Sequence, residues 1–432
     1  MRHNHINVIS LGCSKNLVDS EHLLCQLQAA GYTVEHDPEH INGDIVVVNT
    51  CGFIADAQQE SIDTILAMGE AQREGRIKRL FVMGCLAERF MADLIAELPE
   101  VDKFYGKFNW NELIADLGHT FRDDLLDSRV LTTPPHYAYL KISEGCNRFC
   151  AFCAIPLITG RHTSLPIERV LSQVEQLTAR GVIEFNVIAQ DLSSYGLDIY
   201  GEQRLPELVD RMAQMPGVQW IRLHYAYPAQ FPWDLLPVMA RHENVCNYLD
   251  IALQHISDTV LTNMRRHITG DETRVLIDRL RREVPGIHLR TTLMVGFPGE
   301  GEREFDELLE FVREARFERM GAFAYSEELG TYAAEHYDDS IPDDVKQYRL
   351  QRLMDEQESI SQEIQDGKVG SKLRVIIDRE EEEHYIGRTQ WDSPEVDPEV
   401  LITKQCQLTV GEFCDVVVDE ALPFELMAHP VQ

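Results

Sequence analysis

Three cysteines, Cys146, Cys150 and Cys153, fall at the spacing C-x3-C-x2-C in the run CNRFCAFC, directly after the strand-like YAYLKIS. Three thiolates can hold three corners of a four-iron cluster and leave the fourth iron open to a substrate or cofactor. Structural zinc wants four ligands, and the nearest candidate for a fourth is His162, nine residues on. A disulfide staple fits poorly with the reducing compartment argued below. The open-iron cluster is the reading that needs no missing partner.

A second trio is spread along the first 90 residues. Cys13 follows the apolar run INVISLG, Cys51 follows DIVVVNT and Cys85 follows RLFVMG. A parallel sheet gathers the carboxyl ends of its strands on one edge, so cysteines in three successive strand–helix units can meet there. A single buried cysteine is more often a small hydrophobe, but the recurrence of one position in three units weakens that reading. Of the remaining four, Cys25 lies within a helical pattern and reads as core. Cys246, Cys406 and Cys414 have no spacing partners and read as structural.

The elements that must position these groups alternate strand and helix over most of the chain, the pattern of α/β domains built on parallel sheets. Residues 1–130 predict an N-terminal parallel α/β domain, closed by a linker at Pro134 and Pro135. Between 137 and 366, six strand patterns (YAYLKIS, IEFNVIAQ, VQWIRLHY, NYLDIALQ, HLRTTLMVGF and RMGAFAYS) alternate with helical stretches at 166–180, 205–214, 231–242, 257–266, 271–284 and 302–315. Six units predict a partial TIM-like (β/α)6 barrel with its active loops at the strands' carboxyl ends. A long helix over 343–366 follows. Residues 367–432 break into about five short strands, the rhythm of a small all-β OB-like barrel, with REEEE capping a hairpin.

With 432 residues, the chain has room for several domains that each bury a core. The opening stretch MRHNHINVISLGCSKN has no signal-peptide h-region, and no window is apolar enough to span a membrane, which predicts a cytoplasmic protein with no membrane partner. Seventy-two acids against 40 bases give a net charge of −32. Residues 367–432 alone carry 14 acids and 6 bases. Such a surface repels nucleic-acid phosphates and draws in a basic protein.

The run CNRFCAFC, with Phe152 just before its last cysteine, resembles the radical S-adenosylmethionine (SAM) signature. LGCSKNLVDSE, NTCGF and MGCLAER resemble the amino-terminal module of the radical SAM methylthiotransferases. AQDLSSYG, LQHISDTVLTNMRR and MVGFPGE resemble that family's barrel motifs, and the terminal barrel its TRAM domain. Most members modify tRNA adenosines, whereas one branch methylthiolates an aspartate of small-subunit ribosomal protein twelve. FAYSEELGTYAA and GRTQWDSPEVDP resemble that branch, and the acidic terminal barrel agrees with it; a tRNA adenosine 2-methylthiotransferase is the alternative.

The resemblance implies two 4Fe–4S clusters, one on Cys146, Cys150 and Cys153 with SAM on its open iron, the other on Cys13, Cys51 and Cys85. It also implies radical chemistry on the aspartate β-carbon carried by the cofactors, with no catalytic side chain. The partners it implies are the ribosomal protein, or the subunit carrying it, and a flavodoxin-type electron donor, with no direct tRNA substrate. Gln190, Asp191, Gln254 and Arg266 are candidate SAM contacts by their place at the barrel mouth, with capping as the plain reading of the same residues. Thr159-Gly160 and Ser164-Leu165 depart from the family's arginine-bearing pattern, which points to Arg161 as the replacement. GFPGE can bring backbone near a nucleoside or simply turn tightly into a helix.

Overall fold

The computed structural model describes residues 2–431. The amino-terminal domain is a five-stranded parallel sheet in the spatial order Thr33–His36, Arg2–Ser10, Gly43–Thr50, Arg79–Gly84, Lys103–Phe104. Gly43–Thr50 is its centre. The run DIVVVN is buried on both faces, as a strand covered by helices on each side must be. Helices Ser14–Ala29, Ala55–Arg73 and Cys85–Glu97 follow the three inner strands, as the apolar periodicity predicts. The two edge strands went unpredicted because one is polar and the other has two residues.

Six parallel strands form the central domain, in the order Arg319–Ala324, His288–Val295, Val245–Ile251, Trp220–Ala226, Glu184–Ile188, Tyr137–Lys141. The sheet curls without closing, the predicted partial (β/α)6 barrel. Alternation along each strand divides its two faces. Phe185, Val187, Leu223, Leu249 and Leu289 face the helices in one large apolar core. Glu184, Asn186, Arg222 and His224 face inward, which makes the barrel interior polar. The predicted helix 257–266 stops at Asn263, because Arg265 and His267 both take left-handed backbone; Arg266 therefore lies in a turn.

Helix Asp343–Asp366 leads into a closed five-stranded barrel ordered Lys372–Glu380, His384–Thr389, Glu399–Thr403, Glu425–Pro430, Phe413–Leu422. The acidic run caps the first hairpin as expected. A loop of this small barrel, residues 388–397, plugs the lower end of the central one. Arg388 pairs with Glu184 at 2.8 Å, Asp392 with Arg319 at 2.6 Å and Asp397 with Arg290 at 2.6 Å. Glu395 accepts from the hydroxyl of Tyr137 at 3.2 Å, and Trp391 stacks on His288. Buried charges persist only when paired and hydrogen-bonded, so loop and barrel floor are built for each other.

Candidate functional site

In the amino-terminal domain, Cys13, Cys51 and Cys85 end three neighbouring strands, and the sheet brings them to one edge. Cys13 precedes helix Ser14–Ala29, and Cys85 opens helix Cys85–Glu97. Close approach of the loops is permitted by glycine. A Cβ on Gly12 would stand 2.8 Å from Cys51 Sγ, and one on Gly52 would stand 2.6 Å from the backbone nitrogen of Leu86. Asn16 ties two of the loops by donating to the carbonyls of Leu11 and Asn49, while Ser61 holds the backbone of Cys51. Burial pushes the Cys85 thiol up to about 12, opposed by Lys107 and reinforced by the neighbouring Cys13 and Cys51. Burial likewise raises Cys51, and Cys13 adds to the effect.

The second trio lies in the loop after strand Tyr137–Lys141. Arg148 donates its backbone N–H to Cys146 Sγ at 3.5 Å, and Arg266 donates Nη1 to Cys150 Sγ at 3.2 Å. Tyr227 stands between these two arginines, with guanidinium carbons 4.3 and 4.2 Å from its ring centre and its hydroxyl 3.7 Å from Cys150 Sγ. Burial pushes Cys146 up to about 12 and raises Cys153 as well. A positive metal centre reverses that logic, because thiols that ligate it are deprotonated. Among the described residues, no three His, Cys, Asp or Glu side chains converge on one point as ligands of a single ion do. A four-iron cluster gives each thiolate its own iron, so two looser trios suit it better than a mononuclear site.

The other expected residues divide. Asp191 pairs with Arg148 at 2.7 Å and also accepts from Ser193 and Ser194, so it both caps a turn and holds an arginine at the cysteines. Gln254 sits in left-handed backbone with its buried side-chain oxygen unpartnered. The oxygen of Gln190 and Nε of Arg266 are likewise buried and unpartnered. Buried polar atoms without partners are uncommon in folded proteins, and those of Gln190 and Arg266 belong to side chains bonded to Glu144 and Cys150 at the cysteine loop.

His162 is turned away from the trio, bonded to Ser164 at 3.0 Å and near Asp198. Arg161 is exposed, and Arg148 and Arg266 hold the place expected for it. GFPGE takes the plain reading: Glu300 accepts from Gly296 and pairs with His255 and Arg349, which closes a tight turn. Of the unpaired cysteines, Cys246 is buried in a small core with Trp220 and Tyr248, and Cys25 is half-buried. Cys406 is exposed and belongs to no core.

Sequence reasoning missed the groups between the trios. Lys107, in the loop beyond Cys85, donates to Glu144 at 2.9 Å and stands 3.5 Å from Asp19. Lys141 pairs with the same two carboxylates, and Gln190 donates to Glu144. Burial alone would raise the Glu144 carboxyl, yet Lys141 and Lys107 hold it down at about 2. The only signal in the sequence was lysine within otherwise apolar stretches, YAYLK and KFYGK.

Comparison with known proteins follows the same division of the chain. Residues 5–106 match the uncharacterized protein family UPF0004, residues 140–312 the radical SAM superfamily and residues 369–431 the TRAM domain. The chain is 63% identical over 426 residues to "Ribosomal protein uS12 methylthiotransferase RimO" of Parabacteroides distasonis, covering 99% of each chain. It is 60% identical to the protein of that name in Porphyromonas gingivalis, covering 100% of each. In fold it is similar to the radical SAM methyltransferase TsrM of Kitasatospora setae, solved with cobalamin and a 4Fe–4S cluster. There the TM-score is 0.56 at 15% identity, over 77% of each chain. The cobalamin-dependent radical SAM enzyme OxsB gives a TM-score of 0.51 at 13% identity, over 82% of this chain and 56% of that one.

Proposed function

Because the chain belongs to the family of ribosomal protein uS12 methylthiotransferases, we propose that it methylthiolates the β-carbon of an aspartate in the small-subunit ribosomal protein twelve. It is a radical SAM enzyme with two 4Fe–4S clusters and SAM as cofactors. On this reading the amino-terminal domain spans 1–130, the radical SAM core 137–366 and the TRAM domain 367–432, in keeping with the matched segments.

Cys146, Cys150 and Cys153 hold the cluster that takes SAM, and Cys13, Cys51 and Cys85 hold the second. The residues present fit these groups. Each trio offers three soft donors, and Gln190 and Arg266, which carry unpartnered polar atoms, bond to Glu144 and Cys150 at the first. When bound, the clusters and SAM supply radical chemistry, able to act on a carbon that acid–base catalysis cannot activate.

The protein's own residues have other tasks. Arg266 places positive charge against the thiolate of Cys150, Arg148 donates its backbone N–H to Cys146, and Asp191 fixes the Arg148 guanidinium. Gln190, Gln254 and Arg266 are the SAM contacts, offering an acceptor, an acceptor and a donor. The buried network of Asp19, Lys141, Glu144 and Lys107 sets the spacing of the two trios and keeps water from between them. That network, which joins two cysteine trios carried by separate domains, is the observation that carries the reading.

The partner is uS12 or the subunit that carries it. The acidic terminal barrel favours a basic protein over tRNA. A flavodoxin-type donor supplies the electrons. Among the described residues no helix is long and apolar enough to cross a membrane, and we place the enzyme in the cytoplasm. The test is anaerobically reconstituted enzyme with SAM, dithionite and recombinant uS12, read by intact-mass spectrometry. The expected result is a gain of about 46 Da, one hydrogen replaced by SCH3, on a single aspartate and lost in Cys146→Ala. No gain on uS12, with methylthiolation of tRNA instead, would overturn the substrate assignment.

A further inference from the structure

Three lysines stand where the amino-terminal domain meets the barrel, and they are not equivalent. Lys107 and Lys141 are both paired with Asp19 and Glu144. Lys15 is not. Its ammonium lies 3.2 Å from the ring centre of Tyr225, and among the described residues no carboxylate is within ion-pair distance of it. A ring face attracts a cation without neutralising it, and the one carboxylate whose charge Lys15 reaches, Asp250, stays beyond ion-pair distance among the described residues and, raised by burial, is held down first by Arg290.

The position of that charge is informative. Lys15 is two residues beyond Cys13, in the first turn of helix Ser14–Ala29, which carries no acidic residue. The positive end of the helix adds to the ammonium. Tyr225 is two residues before Tyr227, whose hydroxyl stands 3.7 Å from Cys150 Sγ. The Lys15–Tyr225 contact therefore joins the helix that follows Cys13 to the strand whose end approaches Cys150. It is also held with some strain. Tyr225 has a φ of 65°, a left-handed conformation that costs an aromatic residue energy.

An ammonium with no ion-pair partner, on the helix that follows one trio and against the strand that leads to the other, suits an anion on the molecule that both must address. We propose that Lys15 anchors the carboxylate of the substrate aspartate and so holds its β-carbon between the trios. The inference rests on the aspartate reading above and adds to it the group that recognises the side chain. Lys15 is a substrate-anchoring residue and takes no part in cleaving SAM.

The test uses the reconstituted holoenzyme and two forms of recombinant uS12, one natural and one with the modified aspartate replaced by Asn. Anaerobic binding is measured to the wild-type enzyme and to Lys15→Met and Lys15→Arg. The wild type is expected to bind the Asp form about tenfold or more tighter than the Asn form, the worth of a hydrogen bond between charged groups. In Lys15→Met that ratio falls to about one, while iron content and SAM affinity stay at wild-type values; Lys15→Arg keeps part of the ratio. A Lys15→Met enzyme that keeps the wild-type ratio overturns the inference, and so does a wild type with no ratio. A wild-type enzyme that binds uS12 but leaves it unmodified strikes the substrate assignment itself, and the anchor with it.

Discussion

Lys107 Nζ donates to Glu144 Oε1 across 2.9 Å, and this one contact joins the loop after strand Lys103–Phe104 to the segment that leads into Cys146. Both side chains are mostly buried, and both belong to a network with Asp19 and Lys141 in which two cations meet two anions. Two domains that must address the same carbon are held in register by charge beside the apolar contact of Val18 with Tyr137, Tyr139 and Ile188. Such a lock is directional. It fixes the distance between loops in a way that sliding hydrophobic surfaces do not.

Lys107→Met is expected to destabilise the enzyme by about 3–5 kcal/mol, because it leaves two buried carboxylates to share one lysine. Chemical denaturation of the anaerobic holoenzyme measures this. The same variant should still cleave SAM but yield several-fold less methylthiolated uS12 per SAM cleaved, since register is lost while the SAM-binding trio stays intact.

Iron content separates the two trios. Cys146→Ala and Cys13→Ala are each expected to lose about four iron atoms per chain and to keep the other cluster. Replacing Cys246, which packs against Trp220 and Tyr248, should change stability and leave iron untouched. Iron assay with anaerobic absorbance spectra decides between these outcomes.

Gln254 carries an unpartnered buried oxygen near the cysteine loop. On the proposed SAM contact, Gln254→Leu removes one acceptor and should weaken SAM binding about two- to tenfold, the range for one net hydrogen bond. Equilibrium dialysis of the anaerobic enzyme reads this, and unchanged iron content shows that the cluster survived.

The plug gives a pH dependence with a definite sign. Burial would raise the Asp392 carboxyl, but Arg319 and Lys368 hold it at about 2, below its ordinary value of 3.8. A carboxyl depressed on folding stabilises the protein above its unfolded pKa, and that contribution is lost as the pH falls through the folded pKa. The Tm difference between wild type and Asp392→Asn should therefore be full at pH 6 and shrink from about pH 4 towards pH 2. Thermal unfolding at stepped pH checks it. A difference that does not change with pH would mean that Asp392 is not ionised in the fold.

The placement of the six cysteines after strands was legible because periodicity shows where strands end. The six barrel strands and helix Asp343–Asp366 were legible for the same reason. Arg148 was not singled out, although it lies inside the cysteine motif, because nothing in CNRFC says that its guanidinium turns back onto Tyr227 and Asp191. Lys107, Glu144 and Lys15 are 37 or more residues from at least one of their partners, and a single sequence carries no record of such pairing. His162 drew notice by its spacing and lost that significance once Ser164 took its ring nitrogen.

The loop 388–397 has a consequence for how such enzymes can change. Three of its charges meet a counter-charge on the other domain, Arg388 on Glu184, Asp392 on Arg319 and Asp397 on Arg290, while Glu395 accepts from the hydroxyls of Tyr137 and Tyr139. A terminal domain transplanted from a distant relative would arrive with side chains cut for a different floor and strand several ions without partners. Loop and floor are thus inherited as one unit, and shuffling that respects domain boundaries but ignores this seam should yield chains that do not fold. Productive chimaeras would have to place their junction upstream of Glu184, so that both sides of every pair descend from the same parent.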